Sequence, residues 1–120
     1  MKPKHQVVFV TVPDGKTASK LAKAIIRQKL AACVNIVSGV KSVYWWKEKI
    51  ETSKEELLMI KTKSCLVSKL ICFVKHNHPY SIAEVIALDI TSGNADYLKW
   101  IDSSCKNKSE MRGISKGRKK

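Results

Sequence analysis

The sequence is poor in the residues from which most reactive loops are built. Five glycines and three prolines in 120 residues supply no glycine loop to cradle a phosphate. There is no Gly-x-Ser-x-Gly elbow and no His-Glu-x-x-His pair. No nucleophile comes with an evident base, so a non-catalytic protein is expected. Cysteines stand at 33, 65, 72 and 105 without a Cys-x-x-Cys pair, and reduced thiols are the simplest reading. Apolar runs are short: Leu66 to Val74 is interrupted by Ser68 and Lys69, far below the roughly 20 residues that cross a bilayer. The opening residues lead only into Val7–Val12, too short for a secretion signal and without a small-residue cleavage site. A cytoplasmic location is therefore expected. Acid is scarce as well, with 10 Asp and Glu against 23 Lys and Arg, a net charge of +13. A polyanionic partner suits that excess, although residues 105–120 alone hold seven Lys/Arg against Glu110.

What remains is an ordinary globular composition, 44% hydrophobic and 28% charged, at the size of one domain. Val7–Val12 is β-branched on both alternating faces and predicts a central strand, stopped by Pro13-Asp14-Gly15. From Thr17, the predicted N-cap, to about Ala32, apolar residues at 18, 21, 22, 25, 26 and 30 recur at helical spacing. Cys33–Val37 and Val40–Ile50 predict extended chain, with Ser38-Gly39 as a bend or bulge. Glu51–Lys54 is expected to connect them to a strand over 55–63, completing a long β-hairpin. Ser64 is positioned to cap a second helix running to about His76, which Asn77-His78-Pro79-Tyr80 breaks. A strand over 84–91 and a short helix over 95–104, with Tyr97, Leu98 and Ile101 inward, complete the pattern.

The fold class that follows is α+β, a ferredoxin-like βαββαβ sandwich with an added C-terminal helix. Residues 1–104 form the domain and 105–120 a basic, flexible tail. Both main helices lie on one side of such a sheet, leaving an apolar face bare. At roughly 25 cal/mol per Å² of apolar surface, a ligand, a nucleic acid or another subunit should cover it.

Five local words carry a resemblance: Leu30-Ala31-Ala32-Cys33-Val34-Asn35-Ile36, Ser42-Val43-Tyr44-Trp45-Trp46-Lys47, Glu56-Leu57-Leu58-Met59-Ile60-Lys61-Thr62, His78-Pro79-Tyr80 and Tyr97-Leu98-Lys99-Trp100-Ile101. In this order and spacing, over residues 7–104, the chain resembles the CutA family of divalent-cation tolerance proteins. The resemblance implies a tight homotrimer whose long hairpins reach across neighbouring subunits. It also implies divalent-metal tolerance and copper binding, or, as in animal members, a part in anchoring and processing acetylcholinesterase, with no established reaction. Two positions depart from the family pattern: Ala83 replaces a proline before Glu84, and Asn77 precedes His78 where a histidine or aromatic is usual.

At family positions, Cys33, His78 and Glu84, with His76 nearby, are the candidate ligands for Cu(II) or another divalent metal, a donor set suiting copper or zinc. Packing roles for Cys33 and His78 compete with that assignment. Tyr44, Trp46, Lys61, Tyr80 and Trp100, with His78 and Glu84, are the candidate ligand pocket, or equally the anchors of a subunit interface. Lys61 is a candidate ion-pair partner for Glu84 or Glu55. Two other functions fit the element order. A small-molecule sensor like the trimeric PII proteins would need a nucleotide loop that is not evident. An RNA-recognition motif would need stacking aromatics on its third strand, and residues 55–63 contain none. Nucleic acid is therefore not expected on the core, while the tail offers charge to an anionic surface.

Overall fold

The structure, a computed structural model of the chain, describes residues 3–106. Strand β1 (His5–Val12) lies between β3 (Lys49–Lys63) and β4 (Val85–Asp89), and β2 (Cys33–Trp46) pairs the outer edge of β3. The order is β2-β3-β1-β4, with every neighbouring pair antiparallel. The ferredoxin-like order expected from the sequence is the order observed.

Alternation explains the core. Val8, Val10 and Val12 on β1 and Leu58 and Ile60 on β3 are fully buried with the inner residues of helices α1 (Gly15–Arg27) and α2 (Val67–Asn77). Ala18, Leu21, Ala22 and Ile25 form the buried stripe of α1, and Leu70 and Val74 that of α2. Helix α1 begins earlier than Thr17 because Asp14, in extended conformation, accepts the Thr17 amide at 2.8 Å and is the true N-cap. It also ends before Ala32. Lys29 turns left-handed at φ 57°, so Leu30 and Ala31 enter the core from the connection rather than from a helix. The Thr62 hydroxyl donates to the Leu30 carbonyl at 2.6 Å and fixes that path.

The hairpin turns at Lys47 and Glu48, both with positive φ (50° and 65°), not at residues 51–54. Glu51–Lys54 is polar because that part of β3 projects beyond the helices. Polarity there marks solvent and not a turn. The bulge between Val37 and Val40, with Gly39 at φ 80°, is as expected. Ser64 does not cap α2: its hydroxyl donates to the Pro3 carbonyl, and a 3₁₀ turn over Ser64–Leu66 precedes the helix. Strand β4 is shorter than 84–91.

Helix α3 (Ala95–Ser104) is capped by Asn94 and anchored by buried Ile101. Leu98 packs on the core, but Tyr97 is 41% exposed and stacks on Trp100. Cys105, assigned to the tail by sequence, is buried in the core cluster, and burial raises its thiol pKa. From residue 107 on, the expected tail lies outside the described residues.

Among the described residues, the second face of the sheet has no helical cover comparable to the first. Register places Phe9 beside Met59 and Ile86, Val7 beside Leu88, and Thr11 beside Leu57 on that face. Ile86 and Leu88 are 51% and 45% exposed.

Candidate functional site

At the end of β1 nearest Pro13, the outer hairpin and the loop after α2 enclose an open groove of about 960 Å³. Cross-strand pairing brings Ser42, Tyr44 and Glu55 to one face of β2 and β3. The loop contributes Pro79, Tyr80, Ser81, Ile82 and Glu84 from the other side. In a chain of charge +13, the lining includes two carboxylates, Glu55 and Glu84, and no Lys, Arg or His.

Glu55 is the unusual member, a carboxylate only 8% exposed. Its Oε2 accepts the Tyr80 hydroxyl at 2.9 Å, a charge-assisted bond that lowers the cost of burying the acid. Burial, then the bond to Glu55 and its negative charge, push the Tyr80 pKa up to about 12. The phenol thus stays a donor into the alkaline range, beyond where an ordinary tyrosine ionises.

His78 positions this pair. Its Nε2 lies 2.7 Å from the Thr11 carbonyl, which can only accept, so Nε2 carries the proton. Nδ1 accepts the Tyr80 amide at 3.0 Å, and the two rings contact at 4.8 Å. Both nitrogens of the neutral ring are occupied in pinning the His78–Tyr80 turn to β1. On the hairpin side, the Tyr44 hydroxyl bonds Ser53 Oγ at 2.6 Å, and Lys47 Nζ lies 6.0 Å from the Trp46 ring centroid.

Of the five pocket residues expected from the sequence, Tyr44, Trp46 and Tyr80 line the groove. Lys61 and Trp100 do not. Lys61 is six residues from Glu55 on an extended strand, roughly 20 Å away, and pairs across from Cys33 and Val7, so an ion pair with Glu55 is excluded. Trp100 stacks on Tyr97 in α3.

The three expected metal ligands are likewise separated. Glu84 lines the groove, and His78 stands behind Tyr80 with its lone pair engaged. Cys33 is at the other end of the sheet, its Sγ 3.9 Å from Asn35 Oδ1 and beside Tyr97. His76 points elsewhere, its Nδ1 3.0 Å from the Cys72 carbonyl. Among the described residues, no three His, Cys, Asp or Glu side chains are grouped to hold a metal ion, so the residues of one chain do not fit a closed metal site.

Sequence reasoning passed over Glu55 as a site residue. The signal was present: with Leu57 and Met59 alternating on one face, a carboxylate two positions earlier continues an apolar row.

A family profile described as CutA1 divalent ion tolerance protein matches residues 6–104. Among curated proteins, the chain is 54% identical over 98 residues to Protein CutA 1, chloroplastic, of Oryza sativa, covering 82% of this chain and 55% of that protein. It is 50% identical over 93 residues to human Protein CutA, covering 78% and 52%. The divalent-cation tolerance protein CutA of Thermus thermophilus is 44% identical over 97 residues, covering 81% and 94%. The chain thus spans about half the length of the plant and human relatives. Among solved structures, CutA1 from Oryza sativa superposes with a TM-score of 0.85 at 50% identity, covering 88% of this chain and 97% of that one. The Thermus thermophilus protein gives 0.83 at 41%, covering 85% and 99%.

Proposed function

Because the chain belongs to the CutA1 divalent ion tolerance family, we propose that it serves divalent-cation tolerance as a non-catalytic homotrimer that binds Cu(II). The observation that carries the trimer is the bare sheet face, where Val7, Phe9, Leu57, Met59, Ile86 and Leu88 form a continuous apolar row. On the opposite face of the outer hairpin, Val43, Trp45 and Ile50 are each more than 60% exposed as well. Surface of this kind is stabilised by burial against further copies of the chain.

Since no single chain groups three ligands, the cation reading rests on groups brought together by assembly. Glu84 is the candidate best placed to act, because it already faces the groove. His78 would have to release the Tyr80 amide to offer Nδ1, and Cys33 would act apart from both. All four thiols are free, which suits a reducing compartment, and the cytoplasm is the location we assign. Titration calorimetry of the purified protein with Cu(II) tests this reading. Glu84→Gln is expected to lower the affinity at least tenfold and His78→Ala less. Unchanged isotherms for both would remove these residues from the site.

A second reading, a small-molecule sensor of the PII type, draws support from the groove itself. Tyr44, Trp46 and Tyr80 provide aromatic walls around the bonded Glu55–Tyr80 pair, a lining that suits an organic ligand carrying positive charge.

A further inference from the structure

Among the described residues, the acids avoid the two main helices. Helices α1 and α2 contain six Lys or Arg and no Asp or Glu, whereas the acids fall in the hairpin, the loops, the strands and α3. On α1, Lys16, Lys20, Lys23 and Arg27 are spaced by four, three and four residues, which puts all four within an arc of about 60° along roughly 16 Å of helix. Each is exposed. Lys16 sits near Asp14, but Lys20, Lys23 and Arg27 make no ion pair among the described residues. Like charges at these spacings destabilise an isolated helix, and α1 is retained by its buried stripe despite them.

Beside the cations lies an apolar depression of about 330 Å³, walled by Ala22, Ile26 and Val34 with Lys23 and Arg27 at its rim. Ile26 stays 40% exposed, and Ile36, two residues beyond Val34 on the same face of β2, 39%. The chain also leaves the described structure here: the Lys106 amide donates to the Lys29 carbonyl at 2.9 Å, just past the end of α1. In the sequence, residues 107–120 hold six Lys or Arg against Glu110.

We propose that the exposed side of α1 is a docking face for an anionic phospholipid surface, with headgroup phosphates on Lys20, Lys23 and Arg27 and acyl carbons against Ile26 and Val34. Cations flanking an aliphatic depression match the boundary between headgroup and acyl chain. A nucleic acid would use the charge but not the aliphatic wall, and no Tyr or Trp lies on α1 or α2 to stack a base.

The test is sedimentation of the full chain with vesicles of phosphatidylcholine alone and with about a third phosphatidylserine. Binding is expected only to the anionic vesicles and should weaken with salt. K20E/K23E should lower the partition coefficient by about tenfold or more. K4E/K99E changes the net charge equally, from exposed positions outside α1, and should leave most of the binding. I26S, which keeps every charge, should weaken binding a few fold. Circular dichroism of each variant checks that it is folded. Equal loss in the two charge-reversal variants would reduce the effect to net charge and overturn the proposal. So would unchanged binding by I26S, or binding to a 20-base-pair DNA duplex without binding to anionic vesicles.

Discussion

The two faces of the sheet use the same strands and alternate residues, yet end in different environments. On one, Val8, Val10, Leu58 and Ile60 are sealed beneath α1 and α2 with no exposure. On the other, Phe9, Met59, Ile86 and Leu88 are also apolar, but the described residues supply no comparable layer over them. The first face is satisfied within one chain and sets its stability. The second is left open by the described residues, and its burial is what the proposed assembly would supply. Near the groove end of this second face stands Glu55, whose charge is compensated by Tyr80 instead of by solvent.

Substitutions on the two faces should therefore fail differently. Leu58→Ala, beneath the helices, is expected to cost about 2–5 kcal/mol, read as a lower urea midpoint. Ile86→Glu, on the bare face, should leave the circular dichroism of the dilute protein nearly unchanged but lower its mass in light scattering. A loss of fold in Ile86→Glu as severe as in Leu58→Ala would erase the distinction between the faces. Tyr80→Phe removes the hydroxyl from a buried carboxylate and should cost about 1–3 kcal/mol by the same denaturation.

The Tyr80–Glu55 bond also predicts a pH dependence. The folded phenol keeps its proton to about 12, whereas an unfolded tyrosine loses its own near 10. Its stabilisation is fully present below pH 10 and declines as pH rises from there through 12. Thermal melts across that range should show a fall that Tyr80→Phe flattens. The smallest effect belongs to the cover itself: Asp14→Ala deletes the N-cap of α1 and should lower the melting temperature slightly. In the wild type, the Thr17 amide holds the Asp14 carboxyl below its ordinary pKa. That contribution is present above the unfolded pKa and is lost as pH falls through the folded one.

Element order and the covered face were legible in the sequence because alternation and helical spacing follow directly from burial. The hairpin turn was not: Lys47 and Glu48 adopt positive φ without the Asn or Gly that would announce it. The end of α1 was obscured because Leu30 keeps the helical period while reaching the core from a loop. At the groove, Tyr44, Trp46, Tyr80 and Glu84 were legible from family words. The distance between Glu55 and Lys61 was set by strand length, and both nitrogens of His78 were claimed by backbone groups of residues 11 and 80. The first fact already follows from the strand expected over 55–63, whereas the second depends on how the loop after α2 folds back on β1.

The claim that the bare face is closed by copies of the chain is tested most directly by solution mass over a dilution series. Three times the chain mass is expected, persisting to the lowest measurable concentration. A stable single-chain mass throughout would contradict it and leave the row from Phe9 to Leu88 open to solvent.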